Sequence, residues 1–183
     1  MTTKTPANAI KRVPSKIKKV TEQSVFRNAQ WTVCRGMLTK PVKVGRPIKD
    51  VEHLFKVVGE KLPYESLSKV SQALKEEGVG TKGVYVAHDS MGCPRYIGRG
   101  DIFSRLAQHK KKYKLELTYF SFYVVAEKKH EREVETLLIR AAGFLLELND
   151  RKKGWGVYPG DIKDYETGTI FFERHYKKGR AAG

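Results

Sequence analysis

Residues 83–126 constrain the fold more than any other stretch of the chain, because short β-like segments alternate there with turn signals and a helical pattern. Residues 84–87 and 95–98 are rich in Val, Ile and Tyr, and the HDSMGCP sequence between them contains the Gly and Pro of a tight turn. This pattern predicts a β-hairpin. Residues 117–126, LTYFSFYVVA, are aromatic and β-branched and predict a third strand.

Two helices are predicted around these strands. Asp101 can cap a helix that follows the hairpin and ends in a run of lysines, where positive charge suits the negative end of the helix dipole. A long helix is predicted over residues 129–148. Its apolar face would consist of Val134, Leu137, Leu138, Ala141, Leu145 and Leu148.

The flanking segments predict three further units. Residues 1–48 carry many lysines and arginines against one acid, Glu22, and predict a basic, partly disordered arm that is either a solvated tail or a phosphate-binding element. Residues 49–80 predict a helical hairpin, with one helix from Asp50 and a second over residues 64–77. After a main domain at residues 81–153, residues 154–183 form a C-terminal extension. Its strand-like TIFFERHYKK sequence would either pair at a sheet edge or contact nucleic acid.

Charge and cysteine content narrow the class of protein. The net charge of +16 and pI of about 9.8 attract polyanions, of which nucleic acid is the first to consider. The two cysteines, Cys34 and Cys93, are not in a C-x-x-C pair, which argues against a disulfide framework or a structural zinc site. The sequence has neither the apolar run of a signal peptide nor a membrane span, so we expect a reducing, cytoplasmic location.

Three charged residues stand out as candidates for chemistry. Arg105 and His109 are four positions apart, so they lie on one face of the helix after the hairpin. On the long helix, Glu135 lies beside the apolar stripe. A carboxylate at a buried surface is costly unless it pairs with a cation or binds a metal. An ion pair with an arginine is the simpler alternative.

An ordered set of motifs resembles the GIY-YIG nuclease family. The set consists of Gly83-Val84-Tyr85, Tyr96-Ile97-Gly98, Arg105, His109, Glu135 and Asn149, and the resemblance covers residues 82–153. It implies an α+β fold in which helices flank a small three-stranded antiparallel sheet. It also implies divalent-metal-dependent hydrolysis of phosphodiester bonds, usually in DNA, although RNA is not excluded as a partner.

The resemblance implies a role for each matched residue. Glu135 would be the protein's ligand to Mg²⁺ or Mn²⁺, with water and phosphate oxygens completing the shell. Arg105 would hold the scissile phosphate. Tyr85 would accept or relay a proton from the attacking water, which requires a nearby cation because a free tyrosine has a pKa of about 10.

The other matched residues would support this chemistry. Tyr96 would hydrogen-bond in the same region, His109 would assist proton movement or bind phosphate, and Asn149 would orient its neighbours. The residues predicted to contact the phosphate backbone are Arg99, Lys110, Lys111, Lys112 and Lys114.

Each residue taken singly also has an ordinary structural interpretation. The two tyrosines could be sheet residues, Arg105 could pair with Glu135, His109 could be a solvated helix residue and Asn149 could cap a helix C-terminus. The alternative function is a non-catalytic basic nucleic-acid-binding protein that uses the same fold as a platform. A structural, ribosome-associated protein would explain the charge but not the ordered set.

Overall fold

A computed structural model describes residues 21–38, 54–114, 116–149 and 168–177 as seven strands and three α-helices. In chain order these are β1 (Thr21–Arg27), β2 (Trp31–Leu38), β3 (Phe55–Pro63), α1 (Leu67–Glu76), β4 (Lys82–His88), β5 (Pro94–Asp101), α2 (Ile102–Lys112), β6 (Tyr119–Val125), α3 (Glu131–Ala142) and β7 (Thr169–Tyr176). All seven strands join in one sheet with the order β1-β2-β7-β3-β6-β4-β5. The β3–β7 pair is parallel, so the sheet is mixed.

The predicted three-stranded sheet is wrong in size, although the α+β class agrees with the structure. The predicted hairpin and third strand are β4, β5 and β6, which pair antiparallel with Tyr85 opposite both Gly98 and Phe122. They form only one end of the larger sheet. The other four strands come from segments that the sequence analysis assigned to the arm, the helical hairpin and the C-terminal extension.

The described part of the predicted basic arm is a β-hairpin rather than disordered chain. The turn is fixed by Asn28, whose Oδ1 accepts hydrogen bonds from the backbone N–H groups of Gln30 and Trp31 at 2.9 and 2.7 Å. Trp31 and Val33 are buried in the core. The excess of lysines and arginines in this segment led to a prediction of disorder instead of strands. The rest of the predicted arm lies outside the described residues.

The first helix of the predicted helical hairpin is also wrong, because residues 55–63 form strand β3. An apolar run of this length fits a buried strand as well as a helix. Val57, Val58 and Gly59 are consecutively buried, since β3 lies inside the sheet between β7 and β6. Gly59 is required there because a Cβ would lie 2.3 Å from the Phe122 ring.

The second predicted helix is confirmed as α1. It buries Val70 and Leu74, and Gly78 follows its end with a φ of 67°, the left-handed conformation that glycine adopts most readily. The predicted C-terminal strand is β7. It lies between β2 and β3 in the interior of the sheet rather than at an edge, and Phe172 contributes to the core.

The helices cover the two faces of the sheet. Buried residues of α1 and α2, including Leu74 and Leu106, pack with Tyr85 and Phe122 on one face. Helix α3 packs on the other face, against a separate cluster of buried residues that includes Val84, Val86, Ile97, Val134 and Ile139. None of the described helices is long and apolar enough to cross a membrane.

Helix α3 is shorter and rotated relative to the prediction. It ends at Ala142, where Gly143 follows with a φ of 53°, and a short 3-10 turn continues to Leu145. The buried face contains Val134, Glu135 and Ile139, whereas the predicted core residue Leu137 is 38% exposed. A carboxylate therefore lies within the buried face itself.

Candidate active site at the sheet edge

Tyr85 and Tyr96 lie on the face of the β4–β5 hairpin that α2 covers. Tyr85 is fully buried and pairs in register with Gly98, so its ring crosses over the glycine of the neighbouring strand. A Cβ at residue 98 would lie 2.5 Å from the Tyr85 hydroxyl and 2.9 Å from the Tyr96 ring. The glycine of the second triplet therefore makes room for both tyrosines.

The glycine of the first triplet has a different neighbour. A Cβ at Gly83 would lie 2.2 Å from the backbone carbonyl oxygen of Tyr123 on β6. This close approach of two backbones keeps β4 packed against β6, and thereby fixes the position from which Tyr85 projects.

His109 joins the two tyrosines from helix α2. Asp101 caps this helix as predicted, accepting a hydrogen bond from the Ser104 N–H at 3.0 Å. The His109 Nε2 atom lies 3.4 Å from the Tyr85 hydroxyl, and the His109 ring packs against the Tyr96 ring at a tilt of 37°, with the centroids 4.0 Å apart. The imidazole thus has one polar and one aromatic contact with the hairpin.

Arg105 lies one turn before His109 and is exposed. Its guanidinium runs beside Gly100, where a Cβ would lie 3.0 Å from Arg105 Nε and where φ is 123°. Its positive charge also acts on the Tyr85 hydroxyl. The structure therefore brings Tyr85, Tyr96, Arg105 and His109 together.

Burial controls the protonation of this group. It raises the pKa of Tyr85, an effect that neighbouring Tyr96 strengthens and the Arg105 guanidinium opposes. Burial likewise lowers the pKa of His109, with the positive charges of Arg105 and Lys112 acting in the same direction. At neutral pH the tyrosine is therefore a protonated phenol beside a neutral imidazole.

Glu135 approaches the hairpin from the opposite face. Its side chain is 7% exposed, and Oε2 lies 3.1 Å from Nε of Arg99. Because side chains alternate along a strand, Ile97 and Arg99 point away from the face that carries Tyr96 and Gly98. The predicted site residues thus lie on both faces of β5, which is an edge strand of the sheet.

The arginine that forms an ion pair with Glu135 is Arg99. Arg105 was the expected partner for an ion pair, and Arg99 was expected to contact the phosphate backbone. In the structure Arg99 forms the ion pair, and its side chain remains 43% exposed at the edge. Arg99 directly follows the second triplet, which places it on the face of β5 that α3 covers. This position was the sequence signal that could have identified Arg99 as the partner of Glu135.

Asn149 holds the outer edge of β5. Its Oδ1 accepts a hydrogen bond from the Ile97 N–H at 2.8 Å, and its Nδ2 donates to the Ile97 carbonyl at 2.7 Å. The neighbouring Leu148 N–H donates to the Arg95 carbonyl at 3.2 Å. Asn149 does not cap α3, since that helix ends at Ala142. It acts on the strand that carries the second triplet.

The predicted lysine cluster divides into two kinds of residue. Lys110 is built into the fold: its Nζ donates to the carbonyls of Lys114 and Leu117 and lies 5.4 Å from the centre of the Tyr64 ring. The side chains of Lys111, Lys112 and Lys114 are exposed. These three lysines form an exposed positively charged group at the end of α2.

The described residues contain one group of three potential metal ligands, and it does not include Glu135. That group is Glu22, Cys34 and His175, at the other end of the sheet. Glu135 offers a single carboxylate that already faces the positive charge of Arg99. The donor chemistry suits a hard cation that keeps most of its water, on the condition that Arg99 moves aside.

Comparisons of the chain with models of protein families, with curated proteins and with solved structures give no match. The resemblance to GIY-YIG nucleases therefore rests on the motif residues and their arrangement.

Proposed function

We propose that the protein is a divalent-metal-dependent endonuclease of the GIY-YIG type that hydrolyses phosphodiester bonds in DNA. The observation that carries the proposal is the Tyr85 hydroxyl, which lies 3.4 Å from His109 Nε2 and interacts with Arg105. A phenol, an imidazole and an exposed guanidinium are the groups that proton transfer and phosphate binding need.

Arg105 is the proposed phosphate-binding residue. Its guanidinium is exposed, and Gly100 leaves space beside it. A planar fork of donors binds phosphate oxygens in pairs and offsets the charge that develops on them during displacement. The exposed Lys111 and Lys112 on the same helix would contact neighbouring phosphates, and the net charge of +16 would add long-range attraction.

The proton path combines Tyr85 and His109. Because burial raises the pKa of Tyr85, the phenolate is not the resting state. Because the pKa of His109 is lowered, its neutral imidazole can accept the phenol proton while Tyr85 takes a proton from the attacking water, on the condition that the buried Tyr85 hydroxyl becomes accessible to that water. Tyr85 is then a relay, and the Tyr96 ring packs against the imidazole and holds it in place.

Glu135 is the proposed ligand of Mg²⁺ or Mn²⁺. The ion would offset negative charge on the phosphate and on the leaving oxygen. Arg99 neutralises Glu135 in the described structure. Since Arg99 is partly exposed at the strand edge, it can exchange this carboxylate for a substrate phosphate.

A nuclease assay on Glu135→Gln tests the proposal, with Glu131→Gln as the matched control. Both glutamates are buried on α3, one helical turn apart, and both changes remove a charge while keeping side-chain size. With Mg²⁺ or Mn²⁺ and supercoiled, single-stranded and branched DNA, we expect Glu135→Gln to lose at least about 100-fold in cleavage rate. Glu131→Gln should cleave like the wild type, and both should bind DNA equally.

Equal nicking by the wild type and Glu135→Gln on every DNA form, or activity that persists in EDTA, would contradict the enzyme proposal. The alternative is a basic protein that binds nucleic acid without cutting it. The Arg99–Glu135 ion pair favours that alternative, because it occupies the one carboxylate proposed to bind metal. DNA binding without metal-dependent cleavage by the wild type would support it.

A further inference from the structure

A second group of polar side chains lies on strands β1, β2 and β7, at the end of the sheet opposite β5. One ligand atom each from Glu22, Cys34 and His175 lies within 4.8 Å of the other two. The strand register explains this convergence. Cys34 pairs with Ser24 on β1 and with Glu173 on β7, so Glu22 and His175 lie on the same face as Cys34, each two residues along its strand from the direct partner of Cys34.

The group faces away from the helices of the main core. On β2, Arg35 reaches Glu77 at the end of α1, with Nη1 2.5 Å from Oε1. Because neighbours along a strand point to opposite faces, Cys34 projects to the face that α1 does not cover. Strands β7, β3, β6 and β4 separate β2 from β5, so the group is distinct from the candidate active site.

Local charge favours a cation at this position despite the positive net charge of the chain. The carboxylates of Glu22 and Glu173 are both close enough to Cys34 to act on its thiol electrostatically, and they outnumber Arg27, whose positive charge acts in the opposite direction. Glu173 Oε2 also lies 3.5 Å from His175 Nε2. Two carboxylates around a thiol and an imidazole create a small negative region on a basic protein.

We propose that Glu22, Cys34 and His175 bind Zn²⁺. Thiolate, imidazole and carboxylate are the donors that Zn²⁺ takes in proteins, and three protein ligands with a water are a common open arrangement. Mg²⁺ prefers oxygen ligands and does not suit the thiolate, so this site selects a different ion from Glu135. Glu173 is positioned to hold the His175 ring or to replace the water.

Bound Zn²⁺ would tie the N-terminal hairpin to the C-terminal strand. Its ligands come from the β1–β2 hairpin and from β7, which is far from that hairpin in the sequence and joins it only in the folded sheet. Linear cysteine spacing therefore could not reveal the site. Because the ion would bind the folded chain only, it should raise the stability of the protein.

The full-length, metal-free protein titrated with Zn²⁺ by calorimetry, and with Co²⁺ by absorption spectroscopy, tests the proposal. We expect one equivalent of Zn²⁺, a thiolate-to-cobalt charge-transfer band, and a higher melting temperature with Zn²⁺. Cys34→Ser should lose the band, and His175→Gln should weaken Zn²⁺ binding by more than about tenfold. Cys93→Ser and His130→Gln are the matched controls, since they remove the other free cysteine and another histidine that pairs with a glutamate.

Glu22→Gln provides a variant at an exposed position that should fold normally and bind Zn²⁺ more weakly than the wild type. The absence of Zn²⁺ binding by the wild type would overturn the proposal, as would equal binding by Cys34→Ser and Cys93→Ser. Glu135→Gln should retain full Zn²⁺ binding. The zinc site can therefore fail or succeed independently of the proposed nuclease activity.

Discussion

Two glycines at the candidate site are explained by what lies directly above them. Gly98 leaves room for the hydroxyl of Tyr85, and Gly83 allows β4 to approach the backbone of Tyr123. The triplets thus combine a tyrosine with a glycine for reasons of space. Residue types and order were enough to predict that these tyrosines lie close to Arg105 and His109, since all four residues belong to one hairpin and the helix after it.

Gly98→Ala should displace the Tyr85 ring, because the added Cβ would lie 2.5 Å from its hydroxyl oxygen. We expect a loss of about 1–3 kcal/mol in the free energy of unfolding, measured by urea denaturation. Gly80→Ala is the matched control, since nothing lies within 4 Å of a Cβ at that position. A Gly98→Ala variant as stable as Gly80→Ala would show that the ring is not held where the structure puts it.

The ion pair at Glu135 could not be predicted in the same way. Arg99 and Arg105 were both available in the sequence, and the choice between them depends on which face of β5 meets α3. That geometry follows from the packing of Val134 and Ile139 onto Val84 and Ile97, which involves distant parts of the chain.

At the scale of elements, β4 and β6 are joined by a buried hydrogen-bond chain. His88 accepts from or donates to Ser121 Oγ at 2.8 Å and contacts the Gly92 carbonyl at 3.1 Å. Ser121 Oγ in turn accepts from the Lys61 N–H at 2.9 Å. Since only a donor can bond the carbonyl, His88 carries its proton on Nδ1 and accepts from Ser121.

This chain predicts an acid-sensitive stability. Burial lowers the pKa of His88 from 6.5 to about 4, with Lys61 adding to the shift and Asp89 and the Gly92 carbonyl opposing it. Above pH 6.5 His88 is neutral in both the folded and the unfolded protein. As the pH falls towards 4, the unfolded state gains a proton that the folded state does not, which costs up to about 3 kcal/mol.

Urea denaturation between pH 7.5 and 4.5 measures this effect. The wild type should lose stability steadily below pH 6.5, and His88→Gln should show a flatter dependence. A slope unchanged by His88→Gln would assign the acid sensitivity to other groups.

Element types were predictable where the local pattern was strong. The β4–β5 hairpin, α2, β6 and α1 agree with the sequence-based expectations. The helix predicted from Asp50 was wrong for residues 55–63, because a short apolar run is compatible with both the helical and the strand periodicity. Only the neighbours β7 and β6, which cover both edges of this segment, decide that it is a strand.

At the scale of the whole molecule, the main departure from expectation is the seven-stranded sheet. Four strands extend the β4–β5–β6 unit, and the parallel β3–β7 pair joins segments from distant parts of the chain. Such a non-local pairing cannot be recognised from a local stretch of sequence, because the backbone hydrogen bonds of each strand are made with strands that are remote in the sequence. The basic composition of residues 21–38 concealed a hairpin that carries core residues such as Trp31 and Val33.

A pair of phenylalanine substitutions tests most directly the proposed role of the Tyr85 hydroxyl in DNA cleavage. Tyr85 and Tyr64 are both buried in the same core cluster. The Tyr85 hydroxyl contacts His109, whereas the Tyr64 hydroxyl has no hydrogen-bond partner among the described residues. The two changes therefore remove the same atom from similar surroundings.

The measurement is the single-turnover cleavage rate of both variants at saturating DNA with Mg²⁺. Tyr85→Phe should lose at least about 100-fold in rate while its DNA affinity stays unchanged, and Tyr64→Phe should cleave like the wild type. Wild-type cleavage by Tyr85→Phe would contradict the account.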